Sequence, residues 1–137
     1  MIPLATIQEQ LKGLFPDVLD FHFMEATPER VTARLTVRPE LCTVGEVMHG
    51  GAIMTFADTL GAVATVLNLA PGARTTTIES KTNFLAAARR DTQVIGECRA
   101  LHRGKQTMVW QTTIRNADKR LVAVVTQTQM VLPGKWS

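Results

Sequence analysis

The chain has 137 residues, of which 45% are hydrophobic and 20% charged, with a formal net charge of +3. That length favours one domain, residues 1–137, with a core large enough to need neither disulfides nor a metal. So small a positive excess does not argue for nucleic acid, and five Phe, two Trp and no Tyr leave little to stack bases on.

The chain opens with MIPLATIQEQLKGLF. Leu4, Ile7, Leu11 and Leu14 fall at helical spacing, which predicts a short amphipathic helix within a lead-in over 1–19. Glu9 and Lys12 interrupt the apolar stretch and no basic region precedes it, so it does not read as a signal peptide. A strand is expected over about 20–26. ERVTARLTVR, at 29–38, then alternates: Val31, Ala33, Leu35 and Val37 face one way, and Thr32, Arg34, Thr36 and Arg38 the other. This is the pattern of a half-buried strand. Pro39 ends the pairing, and 40–49 reads as a loop.

Next comes MHGGAIMTFADTLGAVATVLNLA, in which Asp58 is the single charged side chain between His49 and Arg74. The run 50–70 is long enough to span a bilayer. A central Asp costs roughly 2.5–3.5 kcal/mol on insertion scales, and Gly, Asn and Thr dilute the run further. The expectation is therefore a long helix buried all round by protein, with no membrane contact.

Pro71-Gly72 breaks the chain. Four β-rich segments follow at about 74–86, 92–102, 107–117 and 120–131. Arg103-Gly104-Lys105 and Asn116-Ala117-Asp118-Lys119 supply hairpin connections between the last three, so antiparallel pairing is expected. The sum is α+β: a curved antiparallel sheet wrapped around one long central helix. Cys42 and Cys98 form no CxxC and no metal-ligand cluster, and are expected to be free thiols in a reducing compartment.

Several residues carry possible chemistry. Gly50 and Gly51 lack Cβ atoms and open the long helix, so their N–H groups could stabilise an oxyanion; equally, they could merely allow a tight loop-to-helix corner. Asp58 is costly in an apolar helix unless paired, solvated or used. It lies eight residues past Gly50, about 12 Å along a helix. A carbonyl needs its donors and its attacking group each within roughly 3–3.5 Å. Either the two are unrelated, or a second subunit supplies the other half, as an isologous dimer would do twice. His49 fits loop organisation by a hydrogen bond better than base catalysis. His102-Arg103-Gly104-Lys105-Gln106-Thr107 suits a phosphate group, or is an ordinary solvated turn, and Arg89-Arg90 has the same two readings. Ile53, Met54, Phe56, Leu60 and Phe84 would wall an acyl group or simply be core.

HGGAIMTFAD resembles the HGG-x6-D signature of the hotdog-fold thioesterases, in their PaaI-like acyl-CoA thioesterase branch. IESKTNFLAAARRDTQV and HRGKQTMVWQTTIRNADKRLVAVVTQTQMVL extend the resemblance, which covers about residues 30–132. It implies hydrolysis of an acyl-CoA by homodimers, or tetramers built as dimers of dimers, without a cofactor; the apolar residues named above would suit an aromatic or medium-chain acyl group, and the expected free thiols a cytoplasmic setting. It implies that Asp58 is nucleophile or general base opposite the partner's Gly50 amide, that His49 helps position the thioester or loop, and that Thr77 orients the hydrolytic water. Gly51 and Phe84 would border the substrate, while Arg89, Arg103, Gly104, Lys105 and Thr107 would meet CoA. Many relatives carry Asn or Gln at a position near the thioester that is Thr43 here. The alternative is a non-catalytic acyl-CoA binding module, although the 28 residues before the first clear strand are too few for an added DNA-binding unit. The Asp-x4-His pattern of hydratases with this fold is absent.

Overall fold

The computed structural model describes residues 2–134. α1 (Leu4–Leu11) leads through a 3-10 turn at Phe15–Leu19 into β1 (His22–Ala26) and β2 (Arg30–Thr36). A second 3-10 turn, Pro39–Leu41, precedes the short strands β3 (Cys42–Thr43) and β4 (Val47–Met48). α2 (Gly50–Val66) follows, and then β5 (Arg74–Phe84), β6 (Gln93–Arg103), β7 (Thr107–Arg115) and β8 (Leu121–Leu132). Six strands form one sheet in the order β1-β2-β6-β7-β8-β5, every neighbouring pair antiparallel. The expected α+β hotdog arrangement is present, with α2 against the sheet's inner face.

Alternation builds that face. Val31, Ala33 and Leu35 of β2 and Val37 just beyond it are fully buried, while Arg34 and Thr36 are exposed. Thr32 is buried despite its outward position, between Glu25 of β1 and Glu97 of β6. Ile53, Phe56, Ala57, Leu60, Val63 and Ala64 of α2 fill the centre, each large side chain contributing about 1.5–3 kcal/mol on burial. A glycine fixes how closely the layers meet. A Cβ on Gly96 of β6 would stand 2.8 Å from Leu60 Cδ1 and 3.0 Å from Phe56 Cε2, so only a bare Cα lets both side chains lie against the sheet. Ile53, Phe56 and Leu60 are therefore core, whereas Met54 and Phe84 remain partly exposed.

Four details depart from the sequence expectation. α1 stops at Leu11, because Gly13 turns the chain at φ +76° and carries Leu14 out to solvent. α2 ends at Val66, three to four residues early, where the Asn68 side-chain amide donates to Ala64 O at 2.9 Å and to Pro28 O at 2.7 Å. The 40–49 loop contains the β3–β4 pair, turned through Gly45 at φ +91° and Glu46 at φ 60°. Finally, α2 is not buried all round within one chain: Met54, Thr55, Asp58, Ala62 and Val66 form a partly open stripe at helical spacing.

Both cysteines are free. Cys98 faces the core, where burial pushes its thiol up to about 12. No described helix is long and apolar enough to cross a membrane.

One buried polar link ties helix to sheet. Trp110 Nε1–H donates to Thr65 Oγ1 at 2.9 Å, and the Thr65 hydroxyl donates to Gly61 O at 2.8 Å. Both side chains are fully buried. Thr65→Val keeps the shape and strands the indole N–H, so it should lower stability by about 1–3 kcal/mol. Chemical unfolding checks this; unchanged stability would mean the indole N–H finds another acceptor.

Candidate active site

α2 begins at a corner set by His49. Its extended backbone makes it the N-cap, and its Nδ1 accepts the Gly51 N–H at 2.7 Å. That bond fixes Nδ1 as the acceptor and spends the Gly51 donor. Ala52 and Ile53 N–H both donate to His49 O. The Gly50 N–H has no acceptor among the described residues, as expected for a first-turn donor. A Cβ on Gly50 would lie 3.2 Å from the Phe84 ring, so the aromatic edge packs where a side chain at this position would stand. Thr43 stands exposed in β3, paired with Val47, and the Arg89 backbone bridges to the same Val47.

Two turns along, Asp58 points at the sheet. Thr77 Oγ1–H donates to Asp58 Oδ1 at 2.6 Å, and Gln127 Nε2–H approaches the same oxygen at 3.3 Å. Behind Thr77, Gln129 Nε2–H donates to Thr77 Oγ1 at 2.6 Å, and Thr75 Oγ1–H donates to Gln129 Oε1 at 2.9 Å. The threonine hydroxyl thus takes a hydrogen bond from one side and hands its own proton to the carboxylate. Thr77 acts on Asp58 itself rather than presenting a free hydroxyl.

The sheet is shaped for this seam. β5 carries a bulge between Thr77 and Glu79. Thr75 and Thr77 face α2 before it; Ser80 and Thr82 do so after it, so the extra residue resets the alternation. Ser80 also lines a hollow of about 270 Å³ with Asp58, Met54, Thr55, Thr59 and Phe15. Gln127 and Gln129 are inward positions of β8, the first 1% and the second 0% exposed. Sequence reasoning missed both. The available signal was period two: Val125, Gln127 and Gln129 share one face, and two glutamines on a buried face demand partners.

Gly61 makes room for this. A Cβ there would fall 2.3 Å from Gln127 Cδ. Gly61→Ala should turn the Gln127 amide away from Asp58 and cost about 1–3 kcal/mol. Combined with Gln127→Ala, the loss should be smaller than the sum of the two single losses. Urea unfolding of the four proteins tests this; strict additivity would show that the amide does not occupy the space above Gly61.

The basic turn lies at the other end of α2. Arg103 Nη1–H reaches Asn68 Oδ1 at 3.2 Å, with Pro28 O and Glu29 Oε1 each at 3.5 Å. Gly104 N–H donates to Thr107 O at 2.9 Å, closing the turn. Arg103, Gly104, Lys105, Asn68 and Met108 border a groove of about 760 Å³. The structure thus brings Asp58 and Thr77 together, sets His49, Gly50, Gly51 and Phe84 at one end of α2, and holds Arg103 at the other. No group of three or more His, Cys, Asp or Glu that could hold a metal exists among the described residues.

Known proteins share this architecture. The 1,4-dihydroxy-2-naphthoyl-CoA hydrolase of Escherichia coli is 27% identical over 131 residues, covering 96% of each chain. A mutant of thioesterase PA1618 from Pseudomonas aeruginosa superposes with a TM-score of 0.90 at 25% identity, over 97% of this chain and 96% of that one. The protein smu.793 from Streptococcus mutans, solved bound to acetyl CoA, gives a TM-score of 0.77 at 25% identity, over 85% and 91% of the two chains. Residues 45–123 match the family model described as the thioesterase superfamily, a range that takes in the α2 corner, Asp58, Thr77 and three of the four long strands; the chain belongs to that superfamily of thioester hydrolases.

Proposed function

We propose that the protein hydrolyses acyl-CoA thioesters to a carboxylic acid and CoA, as one domain acting in a homodimer whose two sites are each shared between chains. The observation that carries this is the separation of Asp58 from the unpartnered Gly50 N–H on one rigid helix. Eight residues of α-helix span about 12 Å, too far for both to serve one carbonyl. Antiparallel pairing of two α2 helices across a two-fold axis removes the conflict.

Two further features support the dimer. β5 ends the sheet with eleven residues and no outer neighbour among the described strands, and a long unpaired edge invites another strand. The open stripe of α2 carries small and polar residues, Thr55, Asp58 and Ala62, which suit a close helix partner. A dimer of such dimers would give a tetramer. The similar E. coli protein is named for a CoA ester, and the similar S. mutans protein holds one.

In this reading, Asp58 accepts a proton from a water molecule as the water oxygen attacks the thioester carbon. Thr77 and Gln127 hold the carboxylate in place. The Gly50 N–H of the other chain donates to the carbonyl oxygen as it gains negative charge. His49 sets that amide by capping the helix, and Gly51, Thr43 and Phe84 border the reacting group. The C–S bond then breaks, and the thiolate of CoA leaves and takes up a proton. Direct attack by Asp58 would instead form a mixed anhydride that water opens. Lys105, Thr107 and Arg89 meet the phosphates, while Arg103, tied to Asn68, also holds the turn against α2. CoA is part of the substrate and no cofactor takes part. The free thiols fit a cytoplasmic setting.

Asp58→Asn keeps the shape and removes the charge. It should lower kcat by about 10²–10⁴-fold with the fold intact, and retention of more than about a tenth of kcat would make Asp58 structural.

Sharing has its own test. Proline is tolerated at the first helical position and removes the N–H there, so Gly50→Pro should inactivate a homodimer, as should Asp58→Asn. Unfolded together in equal amounts and refolded, the two variants pair at random. Half the dimers are mixed and each has one intact site, so about a quarter of wild-type activity should return. No recovery from confirmed mixed dimers would separate Gly50 from Asp58.

A further inference from the structure

Resting on the acyl-CoA reading, we infer that the N-terminal 3-10 turn Phe15–Leu19 forms the acyl-side wall of the site, and that Phe15 sets the size of a neutral, apolar acyl group. Two hollows flank Thr55 on α2. One, of about 270 Å³, contains Asp58; the other, of about 400 Å³, contains His49 and Gly51. Phe15 and Thr55 line both, so Phe15 borders the carboxylate of one shared site and the helix N-terminus that serves the other. Val18, Leu19, Leu41, Cys42 and Ala52 complete the second hollow's lining on the apolar side.

Phe15 is 69% exposed and Val18 56% exposed, yet the turn that carries them is firmly mounted. Leu19 is 3% exposed and anchors it in the core. The Arg38 guanidinium donates to Val18 O, and Asp17 Oδ2 accepts the Gly13 N–H at 3.0 Å. Pro16 fixes the entry to the turn. A contiguous apolar patch held out on a fixed support calls for an apolar occupant, and this one opens beside Asp58.

The charge of the lining narrows the class. No Lys or Arg lines either hollow; the carboxylates there are Asp58 and Glu40, and Glu40 is already paired with Arg38 at 2.9 Å, which leaves Asp58 as the charge an acyl group meets. An acyl group ending in its own carboxylate would meet like charge with no cation to answer it. Straight-chain and aromatic acyl groups meet no such penalty.

The test compares kcat/KM for butyryl-, hexanoyl-, octanoyl-, decanoyl-, benzoyl- and succinyl-CoA in the wild type, Phe15→Ala and Phe15→Trp. Phe15→Ala should raise the decanoyl-to-butyryl ratio by about tenfold, and Phe15→Trp should lower it, since a change in pocket volume is read as a change in discrimination. Succinyl-CoA should be turned over at least about tenfold less efficiently than butyryl-CoA. The inhibition constant Ki of free CoA, the product, should not move, because in this reading the nucleotide end lies by Lys105. Size-exclusion chromatography and thermal unfolding accompany each variant, and an exposed side chain should alter neither. Ratios unchanged in an active enzyme, or a loss of association with no change in ratio, would overturn the inference and make Phe15 a surface or interface residue. Succinyl-CoA turnover equal to that of butyryl-CoA would overturn the neutral class. A wild type inactive on every CoA ester would instead overturn the acyl-CoA reading itself.

Discussion

A carboxylate on the central helix of a small apolar core is the constraint around which this structure is arranged. Left alone, the Asp58 side chain would lose its hydration with nothing in exchange. The fold answers with a seam of hydrogen bonds running from Thr75 through Gln129 and Thr77 to Asp58, with Gln127 alongside. Each member demands something of the backbone beneath it. The β5 bulge brings Thr77 and Ser80 to the same face, and Gly61 leaves the space that the Gln127 amide fills. Gln127 Oε1 and the Ser80 hydroxyl find no partner among the described residues, and an unpartnered buried polar group is costly, so the seam rests on the bonds made by Thr77, Gln129 and the Gln127 amide.

The same helix also spaces the chemistry. His49 spends its Nδ1 on Gly51 and so leaves the Gly50 N–H as the unspent donor at the corner. Asp58 is fixed two turns away, and Arg103 is tied to Asn68 beyond the C-terminal end of α2. A rigid rod cannot bring these points together, and α2 is rigid because Phe56, Leu60 and Trp110 pack it against the sheet from several strands. In the proposed mechanism, the rigidity that fixes each group in place is what calls for a second chain to complete a site.

Much of the fold was legible because period-two alternation is local. Val31, Ala33, Leu35 and Val37 announce their face without reference to any other segment, and the later strands do the same to within a few residues. The role of Asp58 as an outlier was also visible from its neighbours alone. What escaped depended on pairing between distant segments. The end of α2 at Val66 follows from Asn68 reaching Pro28, forty residues away. Gln127 and Gln129 matter through their register against Ser80 and Thr77, which alternation does not reveal. Leu14 sat on the helical pattern of α1, but the pattern could not show that Gly13 would take a left-handed conformation and end the helix first.

The two halves of the site rest on different parts of the chain. The polar seam belongs to α2, β5 and β8, elements locked by core packing and by ladders on which a one-residue slip would reverse every face. The apolar wall belongs to the Phe15–Leu19 turn, which is held by Leu19, by one guanidinium and by a local Asp17 contact. Neither Phe15 nor Val18 takes part in the hydrogen bonds of the seam, and their exposure means that little stability depends on them. In the proposed reading, the wall can therefore be reshaped while Asp58, Thr77 and Gln127 keep their hydrogen bonds, so that the choice of acyl group is separable from the groups proposed to hydrolyse the thioester.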